Sequence, residues 1–277
     1  MKHFLRLTDI DFSTLKEIFA CADTIHAQGA VLAGKSVVLF FPATSIRTRV
    51  TFEKGIALLG GQPILFPSDT LDKKEKIRDV VGYLNNWADV LIVRHNSLAL
   101  LDKIASYSTV PVINAMTDEN HPCEILSNLY ALSKLRANYT KLCYTFVGAN
   151  HNIGKAWHEA ARAFGLNFRQ CCPVGKGYEI AGAEVFHDLD AAMHGSDIVL
   201  TDSLPASMLP DFLPYQITLD AMKKANKNAL LNPCPPFFRG EEVSADAIES
   251  PYFVGYAFKK SLLAVQQAII AYVLSPA

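Results

Sequence analysis

Residues 37–55 read VVLFFPATSIRTRVTFEKG and contain the pattern that decides the fold. The run VVLFF is typical of a strand that is buried on both faces, and it ends at Pro42. The polar turn that follows carries five hydroxyl or guanidinium side chains, namely Thr44, Ser45, Arg47, Thr48 and Arg49. Apolar residues at helical spacing begin within this turn. The segment therefore predicts a strand, a turn and a helix in succession, which is the repeating unit of parallel sheets.

The same alternation continues through the first half of the chain. The predicted strands are Ser36–Phe41, Pro63–Phe66, Asp89–Val93 and Val110–Ile113. The predicted helices, in which apolar residues recur at three- and four-residue spacing, are Arg49–Leu59, Lys74–Trp87, Ser97–Ala105 and Pro122–Leu135. Short apolar runs that alternate with amphipathic helices predict an α/β fold with a mainly parallel sheet.

The pattern restarts after the polar stretch 136–141, which indicates a second α/β domain. Its predicted strands are Leu142–Val147, Leu166–Cys171, Asp197–Leu200 and Ala229–Leu231, and its first helix is Ile153–Phe164. The stretch NPCPPFFRG, residues 232–240, is expected to leave the sheet because proline cannot donate to a strand ladder. A helix is predicted over Lys259–Val273.

Composition and charge exclude several classes of protein. The 277 residues include 26 Lys plus Arg and 27 Asp plus Glu, a net charge of −1, so no nucleic-acid partner is expected. Hydrophobic residues make up 50% of the chain and charged residues 19%, which predicts a folded protein rather than a disordered one. No apolar run reaches the roughly 18 residues of a membrane span, and the start lacks a secretory pattern. We therefore expect a cytoplasmic protein without a membrane partner.

The cysteines do not indicate a metal centre. The six lie at positions 21, 123, 143, 171, 172 and 234, without a CxxC pair and without histidines at zinc-ligand spacing. Neither a disulfide scaffold nor a bound metal is expected from such spacing.

Polar residues follow two further predicted strands. Arg94 and His95 come after Asp89–Val93, and His121 precedes the helix that begins at Pro122. Ligands of open parallel sheets bind beyond the carboxyl ends of the strands, so these residues and the turn at 45–49 are expected to converge. A helix N-terminus surrounded by hydroxyl and guanidinium groups suits a phosphate.

Each segment also has a simpler interpretation. The turn at 45–49 could be an ordinary helix cap with two exposed arginines. A lone histidine before proline, such as His121, is often only a residue of a helix-initiating turn. Cationic or donor groups at three strand ends favour a binding site over three unrelated features.

Three motifs, in this order, resemble the aspartate/ornithine carbamoyltransferase family. They are SIRTR at 45–49, VRH at 93–95 and HPCE at 121–124, and the family's signatures are Ser-Thr-Arg-Thr-Arg and His-Pro-x-Gln. The resemblance covers nearly the whole chain. It implies a carbamoyl phosphate-binding domain over residues 1–135, completed by a returning C-terminal helix at 256–277, and an amine- or amino-acid-binding domain over 136–255. A linking helix, two doubly wound parallel sheets, a homotrimer and a role in arginine biosynthesis are also implied.

The resemblance assigns roles in the donor site. The phosphate would be held by the turn, through Ser45, Ile46, Arg47 and Thr48. Arg94 would bridge the phosphate and the carbonyl oxygen, and His121 would donate to that oxygen, so both would stabilise the oxyanion formed when an amine attacks. Arg47, Arg94 and His121 are thus the expected catalytic residues. No cofactor is expected, because carbamoyl phosphate is already activated.

Three positions of the donor site depart from the family pattern. Ile46 replaces a threonine, and Glu124 replaces a glutamine whose amide helps to hold the carbamoyl group. NPCPP at 232–236 resembles the family's His-Cys-Leu-Pro turn, with Cys234 retained and the histidine lost. A carboxylate at 124 can still accept from the carbamoyl NH2 but adds negative charge near a phosphate. We expect it to pair with Arg94 or Arg47; the alternative is an ammonium or amide of the enzyme's own substrates.

Two loops indicate the acceptor. VGANHNIG at 147–154 and TDSLPASM at 201–208 resemble the ornithine-type Gly-Asp-Gly-Asn-Asn and Thr-Asp-x-x-x-Ser-Met motifs. The expected amine-substrate residues are Asn152, Asp202, Ser207, Met208 and Cys234. Asn152 would face the amino acid's carboxylate and Asp202 its α-ammonium; a helix N-cap and a loop carboxylate are the simpler interpretations. Residues 206–216 contain no basic residue, so an ornithine-like acceptor is preferred over aspartate.

Some lysines match functional positions of the family less specifically. Lys74 lies in a loop that reaches a neighbouring subunit's site in aspartate-type relatives, although a solvated pair with Lys73 is the simpler interpretation. Lys259 and Lys260 lie near the C-terminal substrate arginine of ornithine-type relatives, and this match is too loose to assign a role.

Three functions compete at this point. The first is a carbamoyltransferase that acts on an ornithine-like amine. The second, a nicotinamide-dependent oxidoreductase, lacks the GxGxxG spacing at residues 147–154. The third is a divergent paralogue with an altered donor or acceptor, or a non-catalytic protein that binds a phosphate ligand.

Overall fold

The computed structural model describes residues 1–178 and 183–276. The chain divides into two compact units, residues 1–134 with 259–277 (unit 1) and residues 135–258 (unit 2). Each unit is built on a parallel sheet with flanking helices, which confirms the predicted α/β class.

Unit 1 contains a four-stranded parallel sheet in the order β2-β1-β3-β4. The strands are β1 (Ser36–Phe41), β2 (Gln62–Pro67), β3 (Val90–Arg94) and β4 (Val112–Met116). Because all four run in one direction, their carboxyl ends lie along the same edge of the sheet. The turn after β1 and the polar residues after β3 and β4 therefore belong to that edge.

Within residues 1–135, five α-helices connect or flank the strands. They are α1 (Phe12–Thr24), α2 (Arg47–Leu58), α3 (Ile77–Leu84), α4 (Leu98–Tyr107) and α5 (Pro122–Leu135). The apolar sides of α3 and α4 pack on one face of the sheet, where Val81, Leu101 and Ile104 meet Leu91 and Val93. The burial of these side chains, each worth about 1.5–3 kcal/mol, holds the strand ends in place.

Unit 2 contains a five-stranded parallel sheet in the order β7-β6-β5-β8-β9. The strands are β5 (Cys143–Val147), β6 (Asn167–Cys171), β7 (Glu184–Phe186), β8 (Ile198–Thr201) and β9 (Leu230–Pro233). The helices are α6 (Asn152–Phe164), α7 (Leu189–Met193), α8 (Leu209–Phe212), α9 (Leu219–Lys224) and α10 (Ala245–Ile248). One core cluster joins Val199 and Leu231 of the sheet to Met193 and Met222 of the helices.

The last helix, α11 (Ser261–Leu274), packs against α1 and α2 in unit 1. Its Gln267 side chain donates to the carbonyl of Gly55 on α2 at 2.9 Å, and a Cβ at Gly55 would lie 3.2 Å from Cγ of Gln267. The helical stretch Tyr256–Leu274 is long and apolar enough to cross a membrane by composition, but half of it is buried inside the protein. Core helices of folded domains share this composition.

Several element predictions are confirmed and others need correction. β1 and α5 have the predicted bounds, whereas α3 is shorter than the predicted helix Lys74–Trp87. The expectation that residues 232–240 leave the sheet is wrong for the first two, because β9 pairs Asn232 with Leu200 and Pro233 with Thr201. Proline is tolerated there since β9 is an edge strand. The short, half-buried β7 was not predicted because three residues carry little periodicity.

Candidate active site

The turn after β1 presents the start of α2 to the edge of the sheet. The N–H of Ser45 donates to the carbonyl of Pro42 at 3.0 Å, and α2 begins at Arg47 with Ile46 as its N-cap. Ile46 is 74% exposed, and its side chain makes no capping hydrogen bond. The first N–H groups of a helix have no partner within the helix and carry its positive dipole end. The turn thus has the character of an anion site rather than of a side-chain cap.

The Arg94 guanidinium ends β3 and reaches the same turn. Its Nη1 donates to the Ser45 hydroxyl at 3.0 Å, which joins two neighbouring strand ends. The register between β3 and β4 shifts between Val93 and Arg94. Such irregularities redirect a side chain and are frequent beside active sites. The predicted convergence of the turn at 45–49 with Arg94 is therefore confirmed.

His121 lies immediately before α5 and is buried. Its Nδ1 has no hydrogen-bond partner, which is uncommon for a buried polar atom. Burial lowers the pKa of His121 to about 4; the Glu124 carboxylate opposes this shift, and Arg94 and Lys259 add to it. The imidazole is neutral at pH 7, so it offers one N–H donor and one acceptor nitrogen.

The Glu124 carboxylate in the first turn of α5 is held by Lys259. Nζ of Lys259 lies 2.8 Å from Oε1 of Glu124 and 2.9 Å from Oδ1 of Asn128. Burial would raise the pKa of Glu124, but the Lys259 ammonium and hydrogen bonds from Lys259 and Asn128 hold the pKa below its ordinary value. The expectation of an arginine partner is wrong, and the partner is a lysine 135 residues away in sequence.

Other polar residues of this region have structural partners. His95 Nε2 lies 2.9 Å from the Asp72 carboxylate, and its Nδ1 accepts from the N–H of Ser97 at 3.0 Å. Arg49 pairs with Glu53 along α2 at 2.5 Å. These contacts brace a loop and a helix. Lys74 lies in the exposed, irregular segment that precedes α3.

In unit 2 the loop after β5 leads into α6. Asn152 is the first residue of α6, and the N-cap is His151, so the helix-cap interpretation of Asn152 is wrong by one position. The Tyr178 hydroxyl donates to the His151 carbonyl at 2.7 Å and lies 3.3 Å from that of Ala149. A Cβ at Gly154 would overlap this hydroxyl, so the loop can pack there only with glycine. Sequence reasoning missed Tyr178, because a single tyrosine carries no motif.

The ends of β8 and β9 bring Asp202 and Cys234 near each other. The N–H of Cys234 donates to the carbonyl of Thr201 at 2.8 Å, and Asp202 is the next residue after Thr201. Burial raises the pKa of Tyr178, and the half-buried Asp202 carboxylate adds to this shift, so the two side chains share one environment. The loop after β8 therefore lies near Tyr178, which bonds the loop after β5.

The remaining predicted acceptor residues differ in exposure. Met208 packs against an apolar cluster of Ala149, Cys172 and Phe212, whereas Ser207 is exposed. Met208 thus supports the loop by packing. Within residues 1–178 and 183–276, no group of three or more His, Cys, Asp or Glu side chains could hold a metal ion.

The chain is thus a two-unit α/β protein that carries a turn of the anion-binding type at the strand edge of its first unit. The description "Aspartate/ornithine carbamoyltransferase, carbamoyl-P binding domain" fits residues 2–134. Residues 140–273 match the family's "Asp/Orn binding domain". The chain belongs to the aspartate/ornithine carbamoyltransferase family, a family of transferases.

Individual relatives agree with this assignment. The ornithine carbamoyltransferases of Chromohalobacter salexigens and Chromobacterium violaceum are 33% and 30% identical to the chain, and each match covers 99% of the chain and 97% of the relative. The solved ornithine carbamoyltransferase structure from Pyrococcus furiosus superposes with a TM-score of 0.91 at 26% identity, covering 98% of the chain and 96% of that structure. The structure from Thermus thermophilus has the same TM-score at 25% identity and covers 99% of both chains.

Proposed function

We propose that the protein transfers the carbamoyl group of carbamoyl phosphate to the amine of an ornithine-like amino acid and releases phosphate. The observation that carries this proposal is the 3.0 Å hydrogen bond from Arg94 to Ser45, which unites the anion turn with a second strand end. Family membership and relatives named ornithine carbamoyltransferase support it.

The donor occupies the edge of the unit 1 sheet in this proposal. Its phosphate oxygens accept from the N–H groups at the start of α2 and from the side chains of Ser45, Arg47 and Thr48. Arg94 lies between the phosphate and the carbonyl oxygen, and neutral His121 donates to that carbonyl oxygen. These assignments use groups that are buried or held by a neighbour, namely Ser45, Thr48, Arg94 and His121.

The reaction needs charge stabilisation at one oxygen. The acceptor amine, as a neutral NH2 group, forms a bond to the carbonyl carbon, and the carbonyl π electrons move to oxygen. Collapse of this intermediate breaks the bond to the phosphate oxygen, phosphate departs with that electron pair, and the amine nitrogen loses a proton to the departing phosphate. Arg94 and His121 face the developing oxyanion, and each such donor is typically worth about 10²–10³ in kcat.

The acceptor is assigned to the loops after β5, β8 and β9. Asn152 takes the amino acid's carboxylate and Asp202 its α-ammonium, while Ser207, Met208 and Cys234 complete the surroundings. The half-buried position of Asp202 beside the Tyr178 phenol supports this assignment, because a carboxylate there gains most from a charge-assisted hydrogen bond with an ammonium.

Assembly and location are part of the proposal. The protein acts as a homotrimer in the cytoplasm and serves arginine biosynthesis, with Lys74 reaching the site of a neighbouring subunit. The exposure of Lys74 is compatible with this role. Sedimentation equilibrium tests the trimer. Mixed trimers of Lys74→Ala and Arg47→Ala subunits should recover activity if Lys74 acts in trans, and verified mixed trimers without recovery would leave it a surface charge.

The test of the reaction is product formation. Protein incubated with carbamoyl phosphate and L-ornithine should give citrulline and phosphate in equal amounts, and a panel of related amines should identify the preferred acceptor. Arg94→Lys serves as the comparison with strongly reduced activity.

A second candidate function rests on Glu124, which places a carboxylate where the family has an amide. The protein would then bind a phosphate ligand without transferring a carbamoyl group. Tight phosphate binding together with no product from any amine of the panel would favour this alternative over the carbamoyltransferase.

A further inference from the structure

Glu124 and Lys259 form a buried ion pair beside the candidate donor site. The side chain of Glu124 is 8% exposed and that of Lys259 is 22% exposed. Surface pairs of this chain are different: Lys223 and Asp220 also lie 2.8 Å apart, but their side chains are 59% and 84% exposed. Exposed pairs contribute little, whereas the removal of one partner from a buried pair leaves a charge without compensation.

The ammonium of Lys259 is held in one place by two acceptors on α5. Glu124 and Asn128 are four residues apart, so they lie on the same side of the helix and both reach Nζ. Lys259 itself belongs to the 3₁₀ turn Tyr256–Lys260, at the point where the chain re-enters unit 1. The pair therefore ties the returning segment to the first turn of α5, directly after His121.

The pair also sets the charge that an anion meets at this edge. His121 is neutral, Arg94 carries one positive charge, and the charges of Glu124 and Lys259 cancel, so these four groups, counted apart from the arginines of the turn at 45–49, sum to a positive charge. Without Lys259 the sum is zero, and a buried carboxylate faces the anion. Without Glu124 the ammonium of Lys259 keeps Asn128 as an acceptor, and its side chain, which is 22% exposed, reaches solvent that screens the added charge.

We infer that Lys259 is a positioning residue of the donor site, which acts through Glu124 and allows an anionic donor to bind beside a buried carboxylate. The inference rests on the proposed function, since it concerns the same donor. It assigns a role to a residue for which the sequence motifs give none.

The test uses the binding of inorganic phosphate to the full-length protein, measured by calorimetry in four variants. These are the wild type, Lys259→Met, Glu124→Gln and the double variant. Lys259→Met should weaken phosphate binding by about tenfold or more, because a charge loses its buried partner. Glu124→Gln should change the affinity less than threefold in the wild-type background but restore about tenfold in the Lys259→Met background.

Lys260→Met is the matched control. Lys260 is the exposed neighbour of Lys259, and its removal deletes the same formal charge without touching the pair. It should leave phosphate affinity within a factor of two. Thermal unfolding of all variants confirms that each is folded at the temperature of the binding measurement.

A pH series adds a readout that a purely structural role of Lys259 would not move. The groups that face Glu124 and its neighbour His121 are Lys259, Asn128 and Arg94. In Lys259→Met the carboxyl loses its cation, so burial raises its pKa and it gains a proton more readily as the pH falls. Phosphate affinity relative to the double variant should therefore recover at low pH, whereas the ratio of wild type to Glu124→Gln should stay level.

The outcomes distinguish a failure of the proposed function from a failure of the inferred role of Lys259. A wild-type protein that binds neither inorganic phosphate nor carbamoyl phosphate would overturn the proposed function and the inference together. Normal wild-type binding, with an equal effect of Glu124→Gln in both backgrounds and no recovery at low pH, would overturn the role of Lys259 alone. A folded Lys259→Met variant with wild-type affinity would do the same.

Discussion

Replacement of Arg94 by lysine tests the central contact of the donor site. The guanidinium bonds the Ser45 hydroxyl at 3.0 Å, and in the proposed donor complex its N–H groups also face phosphate and carbonyl oxygens. Lysine preserves the positive charge, but it has no planar fork and cannot keep the Ser45 contact while it serves two further oxygens in a fixed geometry. Arg94→Lys therefore tests the hydrogen-bonding geometry of this side chain separately from its positive charge.

The expected loss of activity in Arg94→Lys follows from the two roles of Arg94. Loss of one donor to the developing oxyanion costs about 3 kcal/mol, which corresponds to a fall in kcat of about 10²-fold. A weakened hydrogen bond to the ground-state phosphate costs roughly a further 1.5 kcal/mol and appears as a rise in the KM for carbamoyl phosphate of about tenfold. Together kcat/KM should fall by about 10³-fold.

The assay is steady-state citrulline formation with carbamoyl phosphate as the varied substrate at saturating ornithine. Arg6→Lys is the matched control, because Arg6 makes a two-armed pair with Asp102 at 2.8 and 2.6 Å in the same unit. It should leave kcat within a factor of two. A kcat for folded Arg94→Lys within threefold of the wild type would refute the reasoning, because Arg94 would then make no contact special to the transition state.

Three further predictions concern unit 2. Asp202→Asn should raise the KM of the amine far more than that of carbamoyl phosphate, and equal effects would mean that this loop does not bind the acceptor. Tyr178→Phe removes the bond to the His151 carbonyl and should cost about 1 kcal/mol of unfolding free energy and raise the amine's KM; unchanged kinetics would leave Tyr178 a packing residue. Burial lowers the pKa of His158 to about 4, so wild-type stability should fall as the pH drops from 6.5 towards 4. His158→Phe should remove roughly 2 kcal/mol of the loss between pH 7 and 5 in urea unfolding, and an unchanged loss would contradict the assignment.

The sign of the histidine effect follows from proton binding. Between pH 4 and 6.5 the unfolded chain binds a proton at His158 and the folded protein does not, so acid favours unfolding. Phenylalanine has no titrating group, and it can occupy the same place between the rings of Phe168 and Tyr178. His158→Phe therefore removes the titrating group at this position while it changes the packing little.

Local pattern was sufficient for much of the fold. The strand Ser36–Phe41 and the helix Pro122–Leu135 have the predicted bounds, since each combines a long, consistent periodicity with a clear proline or turn signal at one end. The predicted helix Lys74–Trp87 is longer than α3 at both ends, and the pattern predicts no strand at β7. So few residues cannot distinguish a periodic segment from an irregular one. The edge position that admits Pro233 to β9 is a property of the whole sheet.

The sequence by itself determined the parallel α/β class and the placement of Ser45, Arg94 and His121 at strand ends, because strand direction and carboxyl-end position follow from the order of elements along the chain. Only the tertiary structure decided which charge compensates Glu124. Arg94 or Arg47, at the neighbouring strand ends, was the expected partner, yet the partner is Lys259, 135 residues away. The protonation of His121 was decided in the same way, because burial and the summed charges of three neighbours set its pKa. Such terms depend on distances between segments that no local pattern encodes.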